Sequence, residues 1–582
     1  MQSKNRQNVV AVTHAGQKVN GLDTGTGRPK IAVQVHIFFT DLMDEILKCL
    51  NLIPYPYDCY ISTDTPEKKN EILECFKSRC TAHSLTVRVY PNRGRDVAPF
   101  LEQMKEVISH YKYVGHLHTK KSETVDFGDC WRRFLYRNLF GLREYLLALF
   151  EMMERDDRLG LIMPPIYPVI ENGADWSGTK EAVDKMLRKM GYAVNLPEKP
   201  VFPAGDMFWA KADAVRALFE QEGLQKEFPD EAGQVNFTLA HVVERIWVYL
   251  AEGQGYTYRI CQNVLPHRAG EREKRITLYV HYDSRNQIST VDMQTLKAIR
   301  KETKELVVIS NSMLPLSEQS RLAGLADQIL MRDNEGFDFG ALKYAMSQIG
   351  FAYFQQFDQL VLVNNSSIGP IYDLAAVFDE MRGRKKDFWG ISMYPYCEDG
   401  SFVNAPYIPE HIQSYFVVFN RPVFQSEAFR TYWNEYEPSD DFARTIAQGE
   451  IKLTEYLKDA GFSYGAYLPE TVNLPEWFHT GQPHNELPYQ YAILGSPFLK
   501  KKSNVFVSTE NRERLIDYLE QLEIPECYVE FFRDIPPRAI PGESGSEKRK
   551  NIVARGVRLI KNQGIQGVIQ KCANLLGKRR EN

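Results

Sequence analysis

The feature that most constrains this 582-residue chain is a set of motifs that occurs twice, about 240 positions apart. Val-Gln-Val-His at 33–36 returns as Leu-Tyr-Val-His at 278–281, each time within an apolar stretch typical of a buried strand. Asn-Arg-Gly-Arg-Asp at 92–96 returns as Asn-Glu-Gly-Phe-Asp at 334–338. Solenoid units recur every roughly 20–50 residues, so this longer spacing indicates a duplicated domain.

Apolar stretches alternate with helical periodicity within each copy. Strands are expected at 31–39, 58–62 and 86–90 in the first copy and at 276–282, 306–310 and 360–363 in the second. Such alternation predicts an α/β fold with a doubly wound parallel sheet in each copy. Ligands of these sheets bind beyond the carboxyl ends of the strands. The polar motifs at 63–64, 92–96 and 116–121 follow strands directly, so this edge is the expected site.

The two copies define a first domain at 30–267 and a second domain at 275–500. Residues 1–29 are polar, which predicts a disordered leader and argues against a secretory signal peptide. Residues 501–546 are expected to form a C-terminal extension and linker. Residues 547–582 mix apolar and basic side chains, as in an amphipathic helix on an anionic membrane face. A helix packed on the second domain is an equal alternative.

Composition excludes several classes of protein. The formal net charge of −4 gives no electrostatic support to nucleic-acid binding. Nine cysteines, with no pair at the spacing of a zinc ribbon or redox motif, predict reduced thiols and a cytoplasmic location. No run of about 18 apolar residues occurs, so no membrane span is expected. The basic tail leaves open a peripheral contact with the inner face of the cell membrane.

Five motifs of the first copy occur in order, at 92–100, 116–122, 131–132, 202–209 and 238–245. Together with motifs of the second copy at 334–339, 363–370, 387–390 and 411–416, they resemble the rhamnan synthesis F family of bacterial polysaccharide and O-antigen assembly. The resemblance covers roughly residues 30–500. It implies GT-A-like domains and a glycosyltransferase, with dTDP-rhamnose as the expected donor and a lipid-linked glycan as the expected acceptor.

A nucleotide-sugar site must neutralise a diphosphate, and the first copy places basic side chains at strand ends. Gly94 permits close backbone approach and arginine binds phosphate bidentately, although a structural Arg–Asp pair is the alternative. Asp64 is placed either for a nucleoside contact or for a helix N-cap. The expected donor-binding residues are Asp64, Arg93, Arg95, His116, His118, Thr119, Lys120 and Lys121.

The second copy keeps these positions but changes their chemistry. Glu335 and Phe337 replace the two arginines, so geometry rather than phosphate binding is expected to persist in both copies. Neutral amides are poor magnesium ligands, and neither copy shows an acidic metal-binding pair. No metal ligand is therefore assigned, and a requirement for Mg or Mn stays open. The expected donor-binding residues here are Ser310, Asn311, Asp338, Asn364 and Asn365.

Zinc at the first copy is a weak alternative. His116 and His118 alternate along a strand, so both lie on one face. Structural zinc sites use four protein ligands and catalytic sites three, and no third ligand stands near this pair in the sequence. The two histidines are therefore expected to serve the donor rather than a metal.

Transfer also needs a group that deprotonates the acceptor hydroxyl. Glu450 is the expected base of the second copy, although a first-turn glutamate favoured by the helix dipole is an equal alternative. The resemblance aligns Asn236 with this position in the first copy, and an amide cannot accept a proton. Asp206 is then the nearest candidate base, with Asp96 as a further catalytic carboxylate.

Alternating segments at 205–209 and 413–416 are expected to form strands that line the acceptor. The expected acceptor-binding residues are Trp209, Trp389, His411 and Gln413, with core packing as the alternative for the tryptophans. Three functions remain open on the sequence. The chain is a bifunctional glycosyltransferase with two different sites, or one domain is catalytic and the other binds the acceptor, or the chain is a non-catalytic scaffold of polysaccharide assembly.

Overall fold

A computed structural model describes residues 9–19, 21–22, 29–121, 127–229, 238–265, 273–468, 487–503 and 507–534. The chain divides into two units, Met1–Arg533 and Asp534–Asn582. The predicted amphipathic tail at 547–582 and Asn236 lie outside the described residues. The first unit is built on two large sheets, one in each sequence repeat.

The first sheet has eight strands in the order β1-β8-β6-β7-β5-β2-β3-β4. Only β7 runs antiparallel to its neighbours β5 and β6. The strands are β1 (Val9–Val12), β2 (Ile31–His36), β3 (Tyr57–Thr63), β4 (Ser84–Val89), β5 (Tyr113–His118), β6 (Leu159–Met163), β7 (Phe208–Lys211) and β8 (Thr257–Asn263).

The second sheet has the order β11-β10-β9-β12-β16-β14-β15, with β17 also paired to β14. A separate two-stranded ladder joins β13 to β18. The strands are β9 (Arg275–His281), β10 (Glu305–Ser310), β11 (Gln328–Met331), β12 (Gln359–Asn364), β13 (Ser367–Ile368), β14 (Phe388–Tyr394), β15 (His411–Ile412), β16 (Phe416–Asn420), β17 (Tyr464–Leu468) and β18 (Leu499–Lys500).

The two sheets share one plan. The run β4-β3-β2-β5-β7-β6-β8 corresponds strand for strand to β11-β10-β9-β12-β16-β14-β17. Each run contains one antiparallel strand, β7 or β16, so the sheets are mixed where the sequence predicted parallel ones. The predicted α/β class with two doubly wound domains is otherwise confirmed. Strands β2 and β9 are buried along their whole length, as expected for strands covered by helices on both faces.

Helices cover both sheets. Local sequence explains several of their ends: in α2, Thr65 accepts a hydrogen bond from the Lys68 N–H and Pro66 stands at the first position. The helices are α1 (Met43–Leu50), α2 (Pro66–Phe76), α3 (Val97–Met104), α4 (Gly128–Phe140), α5 (Arg143–Arg155), α6 (Lys180–Lys189), α7 (Ala212–Phe219), α8 (Leu239–Gly253), α9 (Thr290–Glu302), α10 (Leu316–Leu322), α11 (Phe337–Ile349), α12 (Phe351–Phe354), α13 (Leu374–Arg384), α14 (Arg421–Phe424), α15 (Glu427–Glu435), α16 (Phe442–Thr445), α17 (Lys452–Asp459), α18 (Pro488–Leu494), α19 (Thr509–Leu519) and α20 (Glu526–Arg533). A π-helix, Ile446–Ile451, joins α16 to α17.

Two predicted boundaries are wrong. Within the predicted disordered leader, Val9–Val12 forms strand β1, which pairs with β8 and buries Val9, Ala11 and Val12. Within the predicted extension, α19 and α20 fold onto the domains. Arg514 pairs with Glu171 of the first domain at 2.6 Å, and the Tyr528 hydroxyl donates to the Gly369 carbonyl of the second at 2.7 Å. The segment 487–533 therefore bridges the two repeats.

No helix in the part of the chain that the structure describes is both long and apolar enough to cross a membrane.

Candidate functional site

Each repeat presents an aspartate, buried in the first repeat and half-buried in the second, from a turn with two consecutive left-handed residues. The turns are Gly94 (φ +64°), Arg95 (φ +55°) and Asp96 in the first repeat, and Gly336 (φ +66°), Phe337 (φ +52°) and Asp338 in the second. Left-handed backbone is unfavourable for side chains other than glycine and asparagine. Its retention in both repeats supports the prediction that geometry persists where the arginines are lost.

In the first repeat, Asp96 lies against the two histidines of β5. Its Oδ2 atom is 3.2 Å from His116 Nε2 and 3.8 Å from His118 Nε2. Burial alone would raise the pKa of Asp96, but His118, His116 and His36 outweigh it and hold that pKa well below its usual value. Burial also lowers the pKa of His116. His116 Nε2 and Asp96 Oδ2 are therefore hydrogen-bonded, and this contact favours the ionised carboxylate.

Asp206 completes this cluster from the turn before β7. It has φ +53°, and its Oδ1 accepts a hydrogen bond from Trp247 Nε1 at 2.7 Å. Burial, followed by the carboxylates of Asp96 and Glu244, raises the pKa of Asp206 well above its usual value. This shift favours the protonated form of the carboxyl group, and the role of Asp206 as a base stays a prediction.

Ligand atoms of Asp96, His116 and Asp206 all lie within 4.8 Å of one another, and all three residues are buried. The carboxylates come from turns far from the histidines in sequence. The fold thus brings two carboxylates to His116, whereas His118 is not a member of this group.

Glu244 was not predicted from the sequence, although it stands in one of the family motifs. Its Oε1 accepts the Gly205 N–H at 2.8 Å, in the turn before β7. In the second repeat Glu450 Oε2 accepts the Ser414 N–H at 2.7 Å, in the turn before β16. The side chains are 19% and 22% exposed, so both reach solvent. Glu244 and Glu450 thus make similar contacts with the turn before the antiparallel strand, while Asn236, the predicted counterpart of Glu450, lies outside the described residues.

Glu450 lies in the π-helix before α17, whereas Glu244 lies in the regular helix α8. A π-helix accommodates an extra residue and is frequent at functional sites. Glu450 Oε2 also accepts the Ser414 hydroxyl at 2.5 Å, and Glu450 Oε1 is 3.6 Å from His411 Nε2. Burial opposes ionisation, but His411 and Ser414 outweigh it and lower the pKa of Glu450 to about 2. The carboxylate is therefore ionised at neutral pH.

Lys500 of β18 is a second residue that the sequence analysis missed. Its Nζ lies 4.0 Å from the centre of the Tyr415 ring and 3.3 Å from Ser366 Oγ. Burial lowers the pKa of Lys500 to about 8, against the opposing pull of Glu450 and Asp338. The only signal was the run of three lysines at 500–502, which lies far from every motif of the second repeat.

The remaining donor residues of the second repeat hold one another. Asn364 Nδ2 donates to Asp338 Oδ2 at 2.9 Å, and burial, followed by Glu450, raises the pKa of Asp338. Asn311 donates to the Asn334 side chain at 3.0 Å. The Asn365 side chain accepts the Tyr282 N–H at 3.3 Å and donates to the Tyr282 carbonyl at 3.1 Å.

The sequence predicts Ser310-Asn311 as the equivalent of Thr63-Asp64, and strand register corrects this correspondence by a single residue. Ser310 Oγ lies 3.1 Å from His281 Nδ1, as Ser62 Oγ lies 2.9 Å from His36 Nδ1 in the first repeat. Ser310 is therefore the counterpart of Ser62 rather than of Thr63. Both serines are fully buried, so Ser310 is a structural residue of the sheet and not a donor contact.

The donor residues of the first repeat differ in their surroundings. Lys120 Nζ lies 4.0 Å from the centre of the Trp131 ring, and burial lowers its pKa against the pull of Glu244 and Asp96. Lys121 pairs with Asp41 at 2.7 Å. Of the two predicted arginines, Arg95 is exposed and Arg93 is half-buried. Asp64 pairs with Lys68 at 2.7 Å. Thr119 accepts the Phe38 N–H at 2.9 Å, and His118 Nε2 lies 2.8 Å from the Gly205 carbonyl.

The predicted acceptor tryptophans are wrong. Trp209 and Trp389 are each 1% exposed, so neither offers a ring face to a sugar. Trp209 packs 5.1 Å from the rings of Phe140 and Phe150, and Trp389 packs 5.6 Å from Phe378. The segments before β7 and β16 form turns, so these two strands also start later than predicted.

The other two predicted acceptor residues lie near Glu450. His411 Nδ1 is 2.7 Å from the Pro409 carbonyl, which orients its Nε2 toward the carboxylate. Gln413 Oε1 accepts the Ser392 hydroxyl at 2.8 Å. These contacts hold the side chains around Glu450 in place rather than forming an open surface for the acceptor.

Comparison with known proteins finds one family model that matches most of the chain and curated relatives that match part of it. The family model of rhamnan synthesis protein F matches residues 9–256 and 306–525. The uncharacterized protein WxcX of Xanthomonas campestris pv. campestris is 32% identical over 221 residues, 37% of this chain and 30% of WxcX. The uncharacterized protein y4gN of Sinorhizobium fredii is 25% identical over 194 residues, 33% of this chain and 48% of y4gN. The chain thus spans less than half the length of these curated relatives.

Solved structures give a more distant likeness. The apo structure of the bifunctional glycosyltransferase WbbM matches 72% of this chain and 85% of its own, at 13% identity and a TM-score of 0.19. A likeness this remote assigns neither substrate nor reaction.

Proposed function

Because the chain belongs to the rhamnan synthesis protein F family, we propose that it is a glycosyltransferase of cell-surface polysaccharide synthesis. Its proposed donor is a nucleotide-diphosphate sugar, dTDP-rhamnose, and its proposed acceptor is a lipid-linked glycan. The name of the family supports the choice of rhamnose.

One observation carries the proposal: both repeats bring the same three kinds of group to the carboxyl edge of their sheets. Each has an aspartate from a left-handed turn, Asp96 or Asp338, and a partly exposed glutamate, Glu244 or Glu450. Each also has a half-buried lysine whose pKa is lowered by burial against the opposing effect of that glutamate. A proton acceptor beside a cation is what transfer from a diphosphate sugar requires.

In the second repeat, Glu450 is proposed to accept the proton of the acceptor hydroxyl. Its Oε2 is held by Ser414, so Oε1, which faces His411, is the atom available for this step. Lys500 is proposed to neutralise the diphosphate that leaves. The lysine comes from β18 in place of the arginines that this repeat has lost.

In the first repeat, Glu244 is proposed to take the part of Glu450, and Lys120 that of Lys500, with Arg95 at the rim. Hydrogen bonds differ between the sites, since Glu244 is held by a backbone N–H and by Arg245 at 3.2 Å. Two sites with related but unequal surroundings favour a bifunctional enzyme that forms two linkages.

The test uses the full-length protein with a lipid-linked acceptor and a panel of nucleotide sugars, and measures the release of nucleoside diphosphate. Glu244→Gln and Glu450→Gln are each expected to remove one product and to slow its formation by about 10²–10⁴-fold. Glu455→Gln is the matched control, because Glu455 lies on α17 and pairs with Lys452 at 3.1 Å. Its activity should equal that of the wild type.

The outcomes separate the alternatives. Loss of all transfer in one variant, with no effect of the other, would mean that one repeat is catalytic and the other binds the acceptor. No turnover of any donor by the wild type would contradict the enzyme and leave a scaffold.

The basic segment at 547–582 is proposed to hold the enzyme at the inner face of the cell membrane, where a lipid-linked acceptor lies. Truncation after Pro541 should abolish sedimentation with phosphatidylglycerol vesicles, while phosphatidylcholine vesicles serve as the uncharged control. Unchanged sedimentation of the truncated protein would reject this contact.

A further inference from the structure

Three ligating groups converge in the first repeat from three separate elements. Asp96 stands in the turn before α3, His116 on β5, and Asp206 in the turn before β7. One ligand atom of each lies within 4.8 Å of the other two, and Asp96 Oδ2 and His116 Nε2 are 3.2 Å apart. This spacing suits atoms that share one ion at about 2.0–2.2 Å from each.

The groups are held in place by their surroundings. Arg95 and Asp206 have φ +55° and +53°, so both turns adopt a backbone that such residues rarely take. Trp247 donates to Asp206 Oδ1, which fixes that carboxylate. The Phe100 ring stacks on His116 at 4.0 Å and 8°, which fixes the imidazole plane. Contacts of this kind orient ligands in metal sites.

The described protein groups satisfy neither all the hydrogen-bonding atoms of this cluster nor its negative charge. Asp206 is 4% exposed, yet its Oδ2 has no hydrogen-bond partner among the residues that the structure describes. Its carboxylate also stands beside that of Asp96. Two buried carboxylates in contact repel each other unless a proton or a cation lies between them. A bound cation would satisfy both the orphaned oxygen and the charge.

The geometry points to a divalent first-row metal ion bound by Asp96, His116 and Asp206. Two carboxylates with one imidazole favour ions such as Mn²⁺ and Zn²⁺ over Mg²⁺, which prefers oxygen ligands and water. The second repeat lacks the set, because Val363 and Ser414 stand at the registers of His116 and Asp206. The expected stoichiometry is one ion per chain.

The test measures metal binding by the full-length protein without donor or acceptor, so its result is independent of the proposed transfer reaction. Mn²⁺ is titrated and the free ion is followed by electron paramagnetic resonance; Zn²⁺ is measured by elemental analysis after dialysis. Asp96→Asn, His116→Gln and Asp206→Asn should each weaken binding at least tenfold. Asparagine suits position 206 because it tolerates the left-handed backbone.

Two matched controls lie outside the cluster. His110→Gln makes the same chemical change as His116→Gln at an exposed histidine. Asp213→Asn makes the same change as the aspartate variants at a solvent-facing aspartate that pairs with Arg216. Both controls should bind the metal ion as the wild type does. Metal should also raise the melting temperature of the wild type but not of Asp206→Asn, which detects the site through the folded state. Failure of the wild type to bind either ion at 1 mM, about a thousandfold above a typical tight site, would overturn the inference. So would equal binding by Asp206→Asn in a folded state.

Discussion

The lowered pKa of Lys500 gives the sharpest prediction about the second repeat. If its ammonium binds the diphosphate of the donor, affinity must fall as the pH rises through that pKa, which is about 8. A group with this pKa is about nine-tenths protonated at pH 7 and about one-tenth at pH 9. The affinity that depends on the charge should therefore drop about tenfold between these values.

The assay is calorimetric titration of dTDP into the full-length protein from pH 6.5 to 9.5. A Lys120→Gln background removes the matching lysine of the first repeat, so that the second site dominates the signal. Lys500→Gln should bind weakly at every pH, and Lys500→Arg should bind without the break near 8, because arginine stays charged. Lys502→Gln is the control on the same segment and should keep the break.

The same shift has a second consequence of known sign. Between about pH 8 and 10.5 the unfolded chain holds a proton on this lysine that the folded chain lacks, so stability due to Lys500 rises through that window. The stability difference between the wild type and Lys500→Gln should follow this trend in urea unfolding. An affinity for dTDP that is flat from pH 7 to 9, or a wild-type profile identical to that of Lys500→Gln, would refute the reasoning.

Three further predictions concern stability and use thermal and urea unfolding. Gly94→Ala should lower the free energy of unfolding by roughly 1–2 kcal/mol because of its left-handed backbone, and by about 1–3 kcal/mol more because the new Cβ would lie 2.5 Å from the Phe228 ring. Gly191→Ala has open space around it and should lose only the backbone contribution. Equal losses in the two variants would contradict the steric clash at Gly94. Trp209→Ala should lower the free energy of unfolding by about 3–5 kcal/mol without changing the KM for the acceptor. A higher KM with unchanged stability would instead support a ring that stacks on the acceptor sugar. Burial lowers the pKa of His36 from 6.5 to about 4, so between these pH values the unfolded state binds more protons than the folded state. The free energy of unfolding should therefore fall by up to about 3 kcal/mol as the pH drops from 6.5 to 4. A His36→Asn variant whose stability falls in the same way over this pH range would count against the prediction.

Local patterns were sufficient for the repeat and for its strand-end motifs. The spacing of Asn-x-Gly-x-Asp located Asp96 and Asp338, since glycine before the aspartate is a signal that short-range backbone geometry explains. The same reasoning failed for Trp209, because alternation predicts a strand but not which sheet face is open. Burial on that face depends on helices α4 and α5, whose packing no local pattern contains.

The site was harder to predict than the fold because its members come from distant segments. Asp206 joins Asp96 and His116 only through the antiparallel pairing of β7 with β5. Lys500 reaches Glu450 through β18, which enters the second repeat from beyond its last sheet strand. Glu244 meets Gly205 only through the contact of α8 with the turn before β7, which lies 39 residues earlier in the chain.

The amino-acid sequence by itself determined the duplication, the α/β class and the family, because these rest on periodicity and on the order of motifs along the chain. The tertiary structure alone decided which carboxylates and cations meet. Ionisable groups act on one another over a few ångströms in a buried environment, and that distance is set by strand order and helix packing. The chain therefore encodes two similar scaffolds, while the folding of each determines a different set of charges at its edge.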